Sequence, residues 1–437
     1  MIFTVLWRRY LLEVFMDLLK FLDEAVTPWH TSSAISNELL QAGFQELPET
    51  EMWNLQRGKS YFVNRGAALF AFRIPSVLSS ETRFRLAASH TDFPTMKITP
   101  NPDLETAGIH LLHPEVYGGA LLSSWFDRDL GIAGMVVVRE GNRLVQKRIR
   151  MNALCRIPEL AIHLNRNVNE EGFRINPQTQ LNVCFSAGKT KNFISALEDF
   201  VGSRVVDFDL QFFDAQPAAL GGFHQEWIYS GRLDNLLSCD SILSGMVESG
   251  EPENVCGALF LNSEEVGSET RDGAAGNFAL VVLNRIADSI QMKQGELFGI
   301  LSDSLLFSLD VAHATHPAYG DKMEPNHSPL MGQGVVLKEN AKKRYASEAI
   351  ACAQCKALCE DLQMPYQIFV SRNDMPCGST VGPCLSAALG IPAVDLGEAI
   401  LGMHSIREMG SVIDHKRMCQ LMQSFFRKKA MHLGQME

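Results

Sequence analysis

The sequence lacks an excess of basic residues. Its 437 residues contain 39 Lys and Arg against 50 Asp and Glu, a formal net charge of −11 with histidine neutral. Proteins that bind nucleic acids carry a basic stripe or patch that contacts the phosphate backbone, and no such stripe is evident in this sequence. We therefore expect no nucleic-acid partner. A small ligand, including an acidic one, is compatible with this composition.

Long apolar runs are also lacking, since no stretch reaches the roughly 18 apolar residues that a membrane-spanning helix needs. The first fifteen residues are apolar, but Arg8 and Arg9 interrupt them and no small-residue cleavage site follows. We expect no export and no membrane contact, and hence a cytoplasmic protein. Because a helix-like sequence opens at Met16, we expect the natural start there and residues 1–15 as a non-native or disordered extension.

Disulfide patterns, repeats and low-complexity segments are missing as well. The ten cysteines are scattered along a long chain, so reduced thiols are expected. Cys352, Cys355 and Cys359 share one face of a predicted helix, where core packing is favoured over a zinc site. The lack of repeats excludes solenoids.

The length predicts two or three structural units, because one hydrophobic core stops growing below this size. Residues 17–45 have the apolar spacing of a helix, and residues 60–90 alternate like strands. From Phe93 to Tyr229, short strand candidates alternate with Gly, Asn and Pro turns, interrupted by one predicted helix, PELAIHLNRN. We interpret 93–230 as an inserted, β-rich domain.

Beyond Gly231 helices and buried strands alternate, as in DNLLSCDSILSGMV, CGALFL, NFALVVLNRIADSIQ and LLFSLDV. This order predicts an α/β fold with a mostly parallel sheet flanked by helices. The predicted catalytic domain comprises 16–92 and 231–437.

Several short apolar runs end in residues that bind metals, and in open α/β sheets ligands bind beyond the carboxyl ends of the strands. Taken singly, each residue also fits a structural role, such as a helix cap or a solvated loop. Together, two histidines and three carboxylates suit two divalent ions, zinc first, with cobalt or manganese also acceptable. The residues are His90, His404, Asp234, Asp310 and one of the adjacent Glu264 and Glu265.

Two neighbouring carboxylates extend this pattern. Asp92, two residues after His90, can hold the imidazole in one tautomer. In the doublet Glu264-Glu265, one carboxylate can bind metal while the other acts as general base.

Seven motifs resemble the aspartyl aminopeptidases, which are dimetal zinc enzymes, in the same order from about Asp17 to about His432. They are ASHTD, SSWFDRDLG, RLDNL, SEEVGS, DVAHATHPAY, RNDMPCGST and MHSIREMG. The resemblance implies that Asp234 bridges the two ions, with His90 and Asp310 on one and Glu265 and His404 on the other. It further implies Glu264 as general base and Asp92 as the group orienting His90.

The same resemblance implies removal of an N-terminal residue, preferably Asp or Glu, with Lys338 facing the acidic side chain. It also implies a tetrahedral homododecamer assembled from dimers through the inserted domain, with His163 reaching a neighbouring active site to stabilise the oxyanion. On the residues alone, Lys338 would be surface charge and His163 a packed helix residue. The remaining implied pocket residues are Tyr345, Asp374, Gly378, Ser379 and Thr380.

Other readings stay open. His313 and His316 are expected to support Asp310 rather than to bind metal. A related carboxypeptidase or N-acyl amino acid deacylase would need an arginine for the substrate carboxylate, for which Arg372 and Arg407 are available. A non-catalytic scaffold is a further alternative, against which the intact Glu264 argues.

Overall fold

The computed structural model describes residues 17–188 and 191–428. The predicted start at Met16 and the predicted extension 1–15 lie outside the described residues. None of the helices within the described part is both long and apolar enough to span a membrane.

The helices follow the predicted apolar periodicity in most of the chain. They are α1 (17–24), α2 (Pro28–Gln41), α3 (Val168–Glu171), α4 (Phe193–Val201), α5 (Leu233–Glu248), α6 (Phe278–Ser289), α7 (Gln294–Leu301), α8 (Ala349–Asp361), α9 (Val381–Leu389) and α10 (Val412–Arg427).

A nine-stranded sheet forms the centre of the molecule. Its strands, in spatial order, are β1 (Gln45–Glu46), β2 (Ser60–Arg65), β3 (Ala68–Arg73), β13 (Val255–Leu261), β4 (Phe84–His90), β14 (Leu305–Leu309), β18 (Ala393–Gly397), β16 (Val335–Glu339) and β17 (Tyr366–Val370). The four adjacent strands β13, β4, β14 and β18 run parallel to one another and are buried throughout.

Helices cover both faces of this sheet. α5, α8 and α10 pack on one face, around residues such as Phe260 and Phe307. α6, α7 and α9 pack on the other, around residues such as Leu86 and Leu259. Neighbouring residues of a strand point to opposite faces, so these strands are apolar almost continuously. The predicted α/β fold with a mostly parallel sheet flanked by helices is confirmed.

A second, six-stranded antiparallel sheet is built from the segment between β4 and α5. In spatial order it contains β8 (Arg143–Cys155), β7 (Leu130–Glu140), β10 (Val205–Asp214), β5 (Thr95–Thr106), β6 (Ile109–Tyr117) and β9 (Val183–Ala187). It has a core of its own, which includes Ile132, Val136 and Phe212.

Two small sheets complete the fold, and the first of them joins this segment to the C-terminal part of the chain. β11 (Ala219–Gly221) and β12 (Trp227–Ser230) pair with β20 (Glu408–Ser411), and β15 (Ala312–His313) pairs with β19 (Ala399–Ile400). Because β12 pairs with β20, residues just before 230 contact the C-terminal part of the chain. The domain boundaries 93–230 therefore stay a prediction.

The predicted single helix over 17–45 is wrong, because the chain breaks between α1 and α2. Pro28 begins α2, and a residue before proline is disfavoured in the helical region. Thr27 is accordingly extended, with φ −149° and ψ 163°, and its hydroxyl accepts a hydrogen bond from the His30 amide.

The predicted helix PELAIHLNRN is also wrong. Only a 3-10 turn, Ile162–Leu164, forms there, followed by the single turn α3. Leu160 and Leu164 are exposed, so no apolar face packs against a core. A short helix without such packing is marginal in water.

The three cysteines on one face of α8 lie in the core. Cys352, Cys355 and Cys359 are buried against the main apolar cluster, and all three are free thiols. Their placement agrees with the core packing that the sequence favours.

Candidate metal centre and active-site cavity

The predicted ligands come together at the carboxyl ends of adjacent strands. His90 is the last residue of β4, Asp310 directly follows β14, and Glu264 and Glu265 form a single 3-10 turn shortly after β13. Parallel neighbours end at the same edge of a sheet, which brings these segments into one crevice. Asp234, at the start of α5, and His404, after β19, complete the group.

Asp234 lies between the two imidazoles. His90 Nε2 is 3.4 Å from Asp234 Oδ1 and 3.8 Å from Asp310 Oδ1. His404 Nε2 is 3.3 Å from Asp234 Oδ2 and 3.6 Å from Glu265 Oε1. Two groups of ligand atoms, each compact enough for one ion, thus share Asp234.

Both imidazoles turn their Nε2 atoms toward these carboxylates. His90 Nδ1 donates to the Asp92 carbonyl at 2.9 Å, and His404 Nδ1 donates to the Gly119 carbonyl at 3.0 Å. Neutral rings held in this way turn the Nε2 lone pair toward anionic oxygens. This arrangement requires a proton or a cation between nitrogen and carboxylate.

The electrostatics show the same need for positive charge. Burial lowers the pKa of His404, but the hydrogen bond to Asp234 and the charge of Glu265 outweigh it and raise this pKa to about 10. Asp234 Oδ1 is buried and has no hydrogen-bond partner among the described residues. Imidazole nitrogens and carboxylate oxygens are ligands that zinc and similar divalent ions accept. The residues present therefore fit a metal centre.

Asp92 connects the histidine to the glutamate pair. Its carboxylate accepts hydrogen bonds from the amides of Glu264 and Glu265, both at 3.1 Å, and from the Tyr117 hydroxyl at 2.8 Å. Its backbone carbonyl receives the proton of His90 Nδ1. Asp92 is thus a positioning residue for both segments. The sequence indicated its link to His90 but neither Tyr117 nor the two amides.

Glu408 is a second positioning residue, and the sequence analysis missed it. Its carboxylate accepts from the Asp234 amide at 3.1 Å and from the His404 amide at 2.8 Å. Burial, reinforced by the charge of Asp234, raises the pKa of Glu408 to about 8. Its place in the motif MHSIREMG, four residues after His404, was the available signal.

A cavity of about 390 Å³ opens over the metal-type ligands. Lys338 lines it with only 2% of the residue exposed, so the surface position expected from the residue type is wrong. Its ammonium donates to the Val311 carbonyl at 3.2 Å, lies 3.4 Å from Asp310 Oδ2 and sits 5.2 Å from the centre of the Tyr345 ring. Gly378, Ser379 and His313 line the same cavity.

Glu264 also faces this cavity. Burial raises its pKa to about 7, with Asp310, Asp92 and Asp234 adding to the effect against His90. A carboxyl group with such a pKa can accept and return a proton near neutral pH.

The remaining predicted residues lie elsewhere. Asp374 is exposed and forms a 2.6 Å ion pair with Arg372. Thr380 caps α9 and donates to Asp395 at 2.5 Å. Neither belongs to the described lining of the cavity, and their substrate role stays a prediction.

Two histidines also lie outside that lining. His163 is exposed in the 3-10 turn Ile162–Leu164. His316 packs beside Tyr319 in a neighbouring cavity, with the ring centres 4.9 Å apart.

Comparison with known proteins finds a matching family model and similar relatives. The family model of the aminopeptidase I zinc metalloproteases (M18) matches residues 21–426. A probable M18 family aminopeptidase 2 from Stutzerimonas stutzeri (strain A1501) is 37% identical over 427 residues, covering 95% of this chain and 98% of that protein.

Solved structures share the fold. A chain in the cryo-EM structure of the Ape4 and Nbr1 complex matches with a TM-score of 0.89 and 34% identity, over 94% of this chain and 85% of that chain. The S. cerevisiae mApe1 dodecamer matches with a TM-score of 0.83 and 24% identity, over 96% of this chain and 97% of that chain. With its metal-type centre, its cavity and a family match over almost its full length, the chain belongs to the M18 family of zinc metalloprotease aminopeptidases.

Proposed function

We propose that this aminopeptidase uses two divalent ions to remove N-terminal Asp or Glu from peptides. The observation that carries the proposal is a cavity that combines two ligand groups sharing Asp234 with the buried ammonium of Lys338. Zinc is the first choice of metal, and cobalt or manganese would also accept the nitrogen and oxygen ligands.

The proposed ligand sets follow the observed distances. His90, Asp234 and Asp310 would hold one ion, and Asp234, Glu265 and His404 the other. Bound there, the ions would lower the pKa of the attacking water and polarise the scissile carbonyl. Asp92 and Glu408 would keep the ligands in place through the hydrogen bonds described above.

Glu264 is proposed as the general base. From the wall of the cavity it would take the proton of the attacking water and deliver it to the leaving amine. Glu264 also forms a compact group with His90 and Glu265, so a role as ligand is the competing assignment. Metal content separates the two, because loss of a base leaves the metal bound.

Lys338 is proposed to recognise the acidic side chain of the substrate. An ammonium has three N–H donors; one donates to the Val311 carbonyl, and a second can be directed at the ion-pair partner Asp310, 3.4 Å away. The third is available for a charge-assisted hydrogen bond, which is stronger at a buried site than at an open surface.

The Lys338→Ala variant tests this preference. We expect kcat/KM for N-terminal Asp or Glu to fall about tenfold or more, equivalent to about 1.4 kcal/mol of transition-state binding. Substrates with N-terminal Leu are the control, because a general disturbance of Asp310 would slow them equally. Lys338→Glu should disfavour acidic substrates further. An unchanged Asp-to-Leu ratio in Lys338→Ala would refute the recognition role and leave aminopeptidase activity standing.

The alternative carboxypeptidase or deacylase has less support. Both require capture of a substrate carboxylate, usually by arginine. Arg372 is paired with Asp374, and Arg407 contacts Asp214 and the carbonyls of three residues. N-acetylation of an acidic peptide decides the matter: it should abolish cleavage by an aminopeptidase, whereas a deacylase would prefer the blocked form.

We also propose that the protein forms a homo-oligomer through the inserted sheet, as a dodecamer. Leu160, Ile162 and Leu164 surround His163 and are all exposed in the single chain, which is typical of a surface that another subunit covers. The matched mApe1 structure is a dodecamer. In this assembly His163 would reach the active site of a neighbouring subunit. The cytoplasmic location of the protein stays a prediction.

A further inference from the structure

A second cluster of metal-type side chains lies between α5 and α10, outside the active-site cavity. Asp240 belongs to α5, and His415 and Cys419 belong to α10. His415 Nε2 is 3.0 Å from Asp240 Oδ2 and 3.6 Å from Cys419 Sγ. Residues four apart on a helix share one face, so His415 and Cys419 present their side chains together.

Glu398 orients the histidine of this cluster. It is 2% exposed, and its Oε1 accepts the proton of His415 Nδ1 at 2.9 Å. This bond directs Nε2 toward Asp240 and Cys419. A carboxylate behind a histidine is the usual support of a metal-bound imidazole.

The cluster contains a carboxylate oxygen that its own residues do not satisfy. Glu398 Oε2 is buried without a hydrogen-bond partner among the described residues. Two carboxylates face one imidazole, so their four oxygens outnumber the two N–H donors that His415 can offer. A divalent cation would neutralise both carboxylates, which matters because unpaired buried charge is strongly unfavourable.

We propose that Asp240, His415 and Cys419 bind a zinc-class divalent ion, with Glu398 as positioning residue. Tetrahedral zinc with Zn–N of about 2.0 Å and Zn–S of about 2.3 Å separates nitrogen and sulfur by about 3.5 Å. The 3.6 Å between His415 Nε2 and Cys419 Sγ matches this spacing. Asp240 is one-fifth exposed, which leaves a route to solvent for the ion and for a water as fourth ligand.

The ion would crosslink the two helices. α5 begins next to Asp234, whereas α10 is the last described helix of the chain. Because a site of this kind exists only in the folded state, metal binding there contributes to folding stability. The site is independent of the proposed substrate preference and of the active-site ions.

Cobalt spectroscopy tests the site directly. Full-length protein is stripped with a chelator and titrated with Co²⁺. The proposed active-site ligands contain no sulfur, so a near-ultraviolet thiolate-to-cobalt absorption reports only a cysteine site. We expect this band in the native protein and its loss in Cys419→Ser, while the matched control Cys184→Ser, in β9, keeps it.

A second variant and a metal count complete the test, and the second variant keeps it decisive if Cys419→Ser folds poorly. Asp240→Asn keeps the thiol, and we expect it to need about tenfold or more cobalt for half-saturation of the band. Bound metal per chain should fall by one equivalent in Cys419→Ser and not in Cys184→Ser. Absence of the band in native protein, its survival in Cys419→Ser or an unchanged cobalt requirement in Asp240→Asn would overturn the proposal.

Discussion

At the scale of single residues, the two adjacent glutamates are proposed to have different roles, Glu264 as general base and Glu265 as metal ligand. Glu264→Gln should keep its metal and lose about a hundredfold or more of kcat, because removal of a general base typically costs about 10²–10⁴ in rate. Metal analysis and steady-state kinetics on the same preparation measure both effects. Glu265→Ala is the matched control and should lose metal. Equal metal loss in both variants would make Glu264 a ligand.

His30 is a residue whose protonation should affect stability. It lies in the first turn of α2, with Nδ1 2.7 Å from the Thr27 hydroxyl. Burial, together with the charges of Arg148 and Arg150, lowers its pKa to about 4. The folded protein therefore favours neutral His30, whereas the unfolded chain takes up a proton below its ordinary pKa of about 6.5.

The sign of the pH effect follows from this difference. The stability that depends on neutral His30 is fully present above about pH 6.5 and is lost as the pH falls toward about 4, amounting to at most about 3 kcal/mol. Denaturant unfolding at several pH values should show the native protein losing more stability over this range than His30→Gln. Parallel pH profiles of the two proteins would contradict the prediction.

At the scale of elements, the contact between α5 and α10 depends on a glycine. A Cβ at Gly245 would lie 2.5 Å from Met422 Cβ and 2.7 Å from the Met422 carbonyl carbon. Gly245→Ala should therefore destabilise the protein by about 1–3 kcal/mol, the usual cost of overpacking.

A second helical glycine provides the control. Gly299 in α7 has no neighbouring atom within 4 Å of an added Cβ. Gly299→Ala should be neutral or stabilise by up to about 1 kcal/mol, because alanine is the better helix former. Thermal unfolding of both variants compares the two effects. Destabilisation of equal size would show that close packing is not the cause.

At the scale of the whole molecule, the exposed turn around His163 is the part of the chain that we propose to link assembly to activity. His163→Ala should lower kcat while leaving a large closed oligomer intact, since a contact between subunits can deliver one side chain into the next active site. Light scattering measures the mass and kinetics the turnover. A fully active monomer would rule out this role for the turn.

Local patterns predicted most of the catalytic fold and the residues that we propose as metal ligands. The order of apolar strands and helices after Gly231 predicted the sheet, because strands that alternate with helices along a chain form a mostly parallel sheet. The proposed ligands on three of the five segments could be expected to meet because parallel strands end at a common edge of the sheet. Pro28 was also a local signal for the break between α1 and α2, since proline disfavours the helical conformation of the residue just before it.

Only the tertiary structure decided which polar groups form hydrogen bonds with the site residues and which residues are buried. Glu408 reaches the amides of Asp234 and His404, and Asp92 reaches those of Glu264 and Glu265, across long separations in sequence. The burial of Lys338 likewise follows from the strands beside it and from no local pattern. Hydrogen bonding and desolvation depend on neighbours in space, and spacing along one chain does not identify them.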